Sequence, residues 1–228
     1  MLTQRAIAEE RMDDPALDAA SYHAVLRDLA RVNTVTLARR PTLDFLTRAL
    51  AERHSFRLLD VGFGNGDMLR AIAAWAQARG LVAELTGIDL NPRSEDAARA
   101  ATPADIPIRW LTGDYQSLSG QGWDIIVSSL VAHHMTHAQL VAFLRFMDAQ
   151  ARIGWFVNDL HRHTFAWLGY PLLASAMRWH PIVRHDGRLS IARSYRPAEW
   201  APILHEAGIE GAHVARVFPF RLCVGRIV

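Results

Sequence analysis

The chain has 228 residues, half of them hydrophobic and 21% charged, with a formal net charge of +2. That composition fits one generous globular domain, or a domain with a cap, and gives no electrostatic footprint for nucleic acid. All 25 Lys+Arg positions are arginine, which excludes a lysine Schiff base or a P-loop lysine as the working chemistry.

A lone cysteine, Cys223, excludes an intramolecular disulfide and any thiolate metal cluster, and its apolar strand context predicts a buried, inert thiol. Apolar runs stay short of the roughly 18 residues a membrane helix needs, and Met1–Asp14 is charged instead of signal-like. The expectation is a cytoplasmic protein without stable membrane insertion.

Along the chain, the first 54 residues carry no strand signature. Leu17, Ala20, Val25, Leu26 and Leu29 recur at roughly helical spacing over 16–32, and Pro41 suits the start of a second helix. Strand-like runs then follow at 56–61, 83–89, 106–111, 123–130 and 152–157. Helical stretches fall between them at 66–79, 93–101 and 136–149.

This alternation predicts an α/β, Rossmann-like sheet of seven mostly parallel strands with helices on both faces. The rhythm breaks after Asn158, where residues 160–195 are rich in aromatics and arginine. A helix at 197–207 restores it, and 212–218 with 221–228 reads as a terminal hairpin. One domain is expected, with a helical cap over 1–54, a cofactor-binding core over 55–160, a helical lid over 161–196, and a closing helix and hairpin over 197–228.

The run from Leu58 to Asp67, LLDVGFGNGD, joins the first strand to the first helix of this core through three alternate glycines. Glycine tolerates positive φ and lets a ligand lie against the main chain at a strand's carboxyl end. Asp89 ends the next strand, where a carboxylate can hold both hydroxyls of a ribose. The dinucleotide pattern G-x-G-x-x-G fits Gly62 and Gly64, but its third place is Asp67, and the third glycine comes one residue early at Gly66. A pyrophosphate also disfavours carboxylates around a helix N-terminus, and here Asp60 and Asp67 flank the loop. Those charges suit a cofactor carrying an ammonium and a sulfonium. They point to S-adenosylmethionine and away from NAD.

Four segments together resemble the class I S-adenosylmethionine-dependent methyltransferases. Asp60-Val61-Gly62-x-Gly64-x-Gly66 is similar to their first motif, and Gly87-Ile88-Asp89-Leu90-Asn91 to the second. Thr112-Gly113-Asp114-Tyr115 resembles the third, and Trp123-Asp124-Ile125-Ile126-Val127-Ser128 the fourth. The resemblance covers about 56–160. It implies that the glycine loop holds the methionine portion of S-adenosylmethionine, Asp89 the ribose and Asp114 the adenine amino group. Leu90, Tyr115 and Ser128 complete that contact set, and S-adenosylhomocysteine is the implied product. The family's closing hairpin, with its antiparallel last strand, is expected too.

Acceptor binding is expected beyond the carboxyl ends of the strands. The loop after the fourth strand holds Ser128, Ser129, His133 and His134, and the loop after the fifth holds Asn158, Asp159, His161 and His163. Histidine suits removal of a phenolic proton, so His134 and His133 are the first candidate bases and His161 the next. His137 reads as a buried or capping residue. The lid's Phe165, Trp167, Leu168, Tyr170, Leu172, Leu173, Met177 and Trp179 are too apolar for a solvated loop. They predict an extra helix over the cofactor, with His163, Trp167 and Tyr170 against the acceptor.

His133, His134 and His137 stand close together in the chain, but zinc needs three or four converging ligands with support behind them, and no metal is expected. The magnesium-binding methyltransferases carry acidic residues after the fourth strand and Asp-Asn after the fifth, whereas here stand Ser128-Ser129 and Asn158-Asp159. The base-gripping Asn/Asp-Pro-Pro sequence of nucleic-acid amino-methyltransferases is absent, so no nucleic-acid partner is expected.

Asn158-Asp159-Leu160-His161-Arg162-His163, Arg184-His185-Asp186-Gly187 and Ser194-Tyr195-Arg196-Pro197 resemble bacterial small-molecule methyltransferases of quinone or polyketide pathways. That resemblance implies O-methylation of a phenolic or quinol-like acceptor. The alternatives are C-methylation on the same scaffold and a noncatalytic subunit that keeps the cofactor pocket.

Overall fold

The computed structural model describes residues 2–228. Seven strands, β1 (Ser55–Val61), β2 (Val82–Asp89), β3 (Ile108–Thr112), β4 (Trp123–Ser129), β5 (Ala151–Leu160), β6 (His213–Val217) and β7 (Arg221–Ile227), form one sheet in the order β3-β2-β1-β4-β5-β7-β6. The first five pair in parallel, and β7 runs antiparallel between β5 and β6. Strand order reverses between β1 and β4, the switch point where open α/β sheets bind ligands.

Side-chain alternation along β1 fills both faces of the sheet. Leu59 and Val61 pack with Phe143, Leu144 and Met147 of α5 (His137–Gln150) and Trp200 and Ile203 of α8 (Pro197–Ala207). Leu58 faces Phe45 and Leu46 of α2 (Arg40–Ala49) and Leu69 and Ile72 of α3 (Asp67–Gln77). Local signals set the helix starts: Thr136 and Gln139 make a capping box for α5, and Asn91 caps α4 (Pro92–Ala101), which has proline in its first turn. Cys223 is buried in this second core, where burial pushes its thiol up to about 12.

The lid departs from the expected single helix. It holds two, α6 (Thr164–Ala176) and α7 (Pro181–Arg193). Ala174, Trp179 and Val183 pack against Val25 of α1 (Ala19–Val35), so the lid has its own small core with the N-terminal helix. The residues before α1 are strapped across α7 and make a 3-10 turn at Arg11–Asp13. The Ala6 amide donates to the Ala192 carbonyl at 3.0 Å, and the Arg11 and Met12 amides donate to the Asp186 carboxylate at 3.1 and 2.9 Å. No helix among the described residues is long and apolar enough to cross a membrane.

Candidate functional site

A cavity of about 670 Å³ lies over the carboxyl ends of β1, β2 and β4, between the sheet, α1, the N-terminal strap and the lid. The glycine loop forms one wall. Gly62 and Gly66 have φ of +80° and +74°, and a Cβ would lie 2.3 Å from Val131 Cγ2 or 2.4 Å from the Trp110 ring. Gly64 instead has room on the cavity side, where a Cβ would meet only Leu26 Cδ2 at 3.7 Å. Gly62 and Gly64 line the cavity, whereas Gly66 is behind the loop and serves helix–strand packing.

The loop is tied to β2 by Asp89. Its Oδ2 accepts the Gly64 amide at 2.9 Å, and its Oδ1 accepts the Asn91 amide at 2.9 Å. Burial raises the Asp89 pKa despite these bonds. Asp60, at the end of β1, is 1% exposed, and its Oδ1 has no hydrogen-bond partner. Burial, with Asp67 and Asp89 nearby, pushes its carboxyl up to about 8. A buried acceptor without a donor is costly unless a ligand supplies one. An ammonium at this place would do so. The Asp67 carboxyl, also raised by burial, is held by Asn33 at 3.3 Å and Arg39 at 3.4 Å.

Leu90 and Tyr115 line the cavity. Asp114 does not: it is exposed, and its Oδ1 caps the following 3-10 turn by accepting the Gln116 amide at 2.9 Å. Ser128 is a second correction. Strand alternation turns it inward, where its hydroxyl donates to the Val61 carbonyl at 2.9 Å, and the neighbouring Ser129 lines the cavity instead.

The polar end of the cavity is built from three places in the chain. His133 and His134 sit in a 3-10 turn, Ala132–His134, just after β4. Asp159 belongs to β5 itself, not to the loop after it, and its Oδ1 meets His133 Nδ1 at 2.7 Å while Oδ2 accepts the His133 amide at 2.8 Å. Glu10, from the N-terminal strap, is 4% exposed and stands 3.6 Å from His133 Nε2 and 3.8 Å from His134 Nε2. Burial alone would lower the His133 pKa, but Asp159 and Glu10 outweigh it and raise it to about 9. Burial likewise opposes the Asp159 charge, and the imidazolium more than offsets it, holding that carboxyl below its usual range.

The other expected residues lie elsewhere. His161 is outside the cavity, bridged to Tyr195 and stacked near His163 with ring centroids 5.3 Å apart. His163 caps α6 and stacks on Phe220, and Trp167 packs under the Arg188 guanidinium at 3.6 Å. His161 is therefore not brought to the base position, nor His163 and Trp167 to the acceptor wall. Tyr170 does line the cavity, together with Phe165 and Leu173, and its hydroxyl donates to the Val183 carbonyl at 2.8 Å. His137 is neither buried nor capping; it is exposed and pairs with Glu206 at 2.7 Å.

Nothing in the sequence singled out Glu10 or Arg221. Arg221 is 3% exposed, lines the cavity and keeps Nη1 without a partner. Its position at the start of a strand gave no signal. Glu10 is one carboxylate among several in a charged segment, and only folding brings it to the histidines.

The sheet order, the glycine loop and the carboxylate at the end of β2 are features of the class I S-adenosylmethionine-dependent methyltransferase fold. Residues 58–154 match the family model described as a methyltransferase domain. No protein of curated function matches by sequence. Among solved structures, the plantazolicin methyltransferase BpumL, in complex with a pentazolic desmethylPZN analog and SAH, superposes with a TM-score of 0.67 at 14% identity, over 91% of this chain and 90% of that one. Magnesium protoporphyrin IX methyltransferase (ChlM) from Synechocystis PCC 6803, with bound SAH, gives 0.58 at 17% over 95% and 91%. Human N-acetylserotonin methyltransferase, in complex with SAM, gives 0.64 at 13% over 91% of this chain and 56% of that one. At these identities the likeness is one of fold.

Proposed function

We propose that this chain transfers a methyl group from S-adenosylmethionine to the hydroxyl of a small, substantially apolar acceptor of phenolic, quinol or polyketide type. The single observation that carries this reading is one cavity with two chemically different ends. The glycine loop, Asp60 and Asp89 bound one end, while Phe165, Tyr170, Leu173 and the Glu10–His133–His134 cluster bound the other.

S-adenosylmethionine, when bound, supplies a methyl group on an electrophilic sulfonium. The chain's own residues hold and align. Asp89 fits the ribose hydroxyls, Gly62 and Gly64 leave room for the methionine portion, and Leu90 and Tyr115 fit the adenine. Asp60 offers its unpartnered oxygen to the ammonium, and Arg221 offers its free N–H to the carboxylate. Phe165 and Tyr170 of the lid orient a planar acceptor, which is the larger part of what a direct displacement requires.

The hydroxyl must also lose a proton, and the Glu10–His133–His134 cluster is the place for that. His133, fixed by Asp159 and facing Glu10, works within the cluster and not as a lone base. That the methyltransferases of similar fold are named for plantazolicin, magnesium protoporphyrin IX and N-acetylserotonin supports a small acceptor over nucleic acid. C-methylation of a similar acceptor would use the same cavity.

The test is incubation with methyl-labelled S-adenosylmethionine and a panel of phenols, quinols and alkylresorcinols, with products resolved by mass spectrometry. Label in an aryl methyl ether supports the reading. Label on carbon selects the alternative, and no transfer to any member despite cofactor binding overturns the acceptor class.

A further inference from the structure

The Glu10–His133–His134 cluster has a geometry that proton handling alone does not account for. One ligand atom from each residue lies within 4.8 Å of the others. Glu10 Oε1 stands 3.6 Å from His133 Nε2 and Glu10 Oε2 3.8 Å from His134 Nε2, both beyond hydrogen-bond length. Ligand atoms around a tetrahedral ion with bonds of about 2.0–2.1 Å sit roughly 3.3–3.5 Å apart. The observed separations are a few tenths of an ångström longer, so a small inward movement of these side chains would seat an ion between them.

Each imidazole is also oriented from behind. His133 Nδ1 is on Asp159 at 2.7 Å, and His134 Nδ1 is on Asp13 at 3.2 Å, which turns both Nε2 atoms toward Glu10. A carboxylate on the far nitrogen is the usual support of a metal-binding histidine, fixing its tautomer and raising its basicity. Glu10 is held in turn by the Ser190 hydroxyl at 2.8 Å. Arg193 approaches Glu10 to 3.9 Å, but its guanidinium donates to the carbonyls of Ala8, His133 and His134.

We propose that Glu10, His133 and His134 form a two-histidine, one-carboxylate site for a divalent transition-metal ion such as Zn²⁺, with an open coordination position facing the acceptor cavity. Three protein ligands with one free position is the pattern of catalytic zinc sites, and the same donor set suits ferrous iron. All three residues line the cavity. An acceptor hydroxyl bound there would ionise more readily, its proton passing to solvent water. The inference rests on the methyl-transfer reading for the use of the site, but not for its existence. It replaces the expectation of a metal-free enzyme because the third ligand comes from the strap and not from the two loops after β4 and β5.

The test is titration of the full chain, stripped with EDTA and desalted, with Zn²⁺ by calorimetry and with Co²⁺ by visible absorption. S-adenosylhomocysteine binding is measured on the same preparations. The expected result is one saturable equivalent of metal and a Co²⁺ spectrum of low coordination number. Asp159→Asn and Asp13→Asn should weaken the metal by about 10–100-fold, and Glu10→Gln and His134→Ala by more, with S-adenosylhomocysteine affinity kept as the sign of a folded protein.

Wild type that binds S-adenosylhomocysteine but no stoichiometric metal overturns the site and leaves the methyltransferase reading standing. Metal binding unchanged by Glu10→Gln and His134→Ala overturns it too. Metal binding without S-adenosylhomocysteine binding supports the site and counts against the cofactor reading instead.

Discussion

Asp89 Oδ2 accepts the Gly64 amide at 2.9 Å, so the carboxylate assigned to the ribose also sets the conformation of the glycine loop. The two halves of the cofactor site are thereby one unit. Asp89→Ala should remove ligand contacts and loosen the loop together. Charged hydrogen bonds contribute about 1.5–3 kcal/mol each, so S-adenosylhomocysteine affinity should fall at least about tenfold. Calorimetry checks it, and unchanged affinity would displace the site from this end of β2.

Gly62 marks where the loop has no room. Alanine there would hold φ at +80° with its Cβ 2.3 Å from Val131 Cγ2. The left-handed conformation alone costs about 1–2 kcal/mol, or roughly 2–8 °C of melting temperature for a chain this size. Gly62→Ala should therefore melt measurably lower than wild type. A melting curve that superposes on wild type would mean the loop relaxes more freely than its packing indicates.

Asp60 predicts a pH dependence. Its folded carboxyl is raised from 3.8 to about 8, so between those values the folded state holds a proton that the unfolded state has lost. Stability of the cofactor-free protein therefore falls as pH rises through that window, at up to about 1.4 kcal/mol per pH unit from this group. Asp60→Asn should flatten the dependence of melting temperature on pH between about pH 5 and 8. It should also weaken cofactor binding by removing the ammonium's partner. Titrations in buffers of different ionisation heat should show proton release by wild type and less by the variant. Identical pH profiles would place the titration elsewhere.

Gly187 controls the acceptor wall. A Cβ there would lie 2.2 Å from Tyr170 Cζ, and that ring is anchored by its hydroxyl on the Val183 carbonyl. Gly187→Ala should push Tyr170 toward the cavity, changing the relative rates on small and large phenols while S-adenosylhomocysteine affinity stays within about twofold. Unaltered acceptor preference would take Tyr170 out of the wall.

Much of this was legible in the sequence, and the limits are physical. The glycine loop, Asp89 and the alternation of strands and helices along the chain are local signals: a turn that only glycine tolerates, and apolar runs set by period and punctuated by turn residues. Which of two adjacent residues faces the ligand is set by strand phase, and that misplaced Ser128 against Ser129. The fifth strand runs to Leu160, longer than its apolar stretch, because Asn158 finds partners inside the protein. Its amide donates to the Ala38 carbonyl at 2.7 Å and the Thr42 hydroxyl at 3.1 Å. That extension carries His161 and His163 past the cavity. Glu10 was illegible because its neighbours come from distant segments, and no local pattern separates a strap that folds over a site from a charged tail.

Occupation of the cavity beside Gly64 and Asp89 by S-adenosylmethionine is the point on which the other assignments depend. It is tested most directly by calorimetric titration of the purified chain with S-adenosylhomocysteine, with NAD titrated in parallel. One saturable site of micromolar affinity is expected for the former and none for the latter. Binding of NAD alone, or of neither, would contradict it.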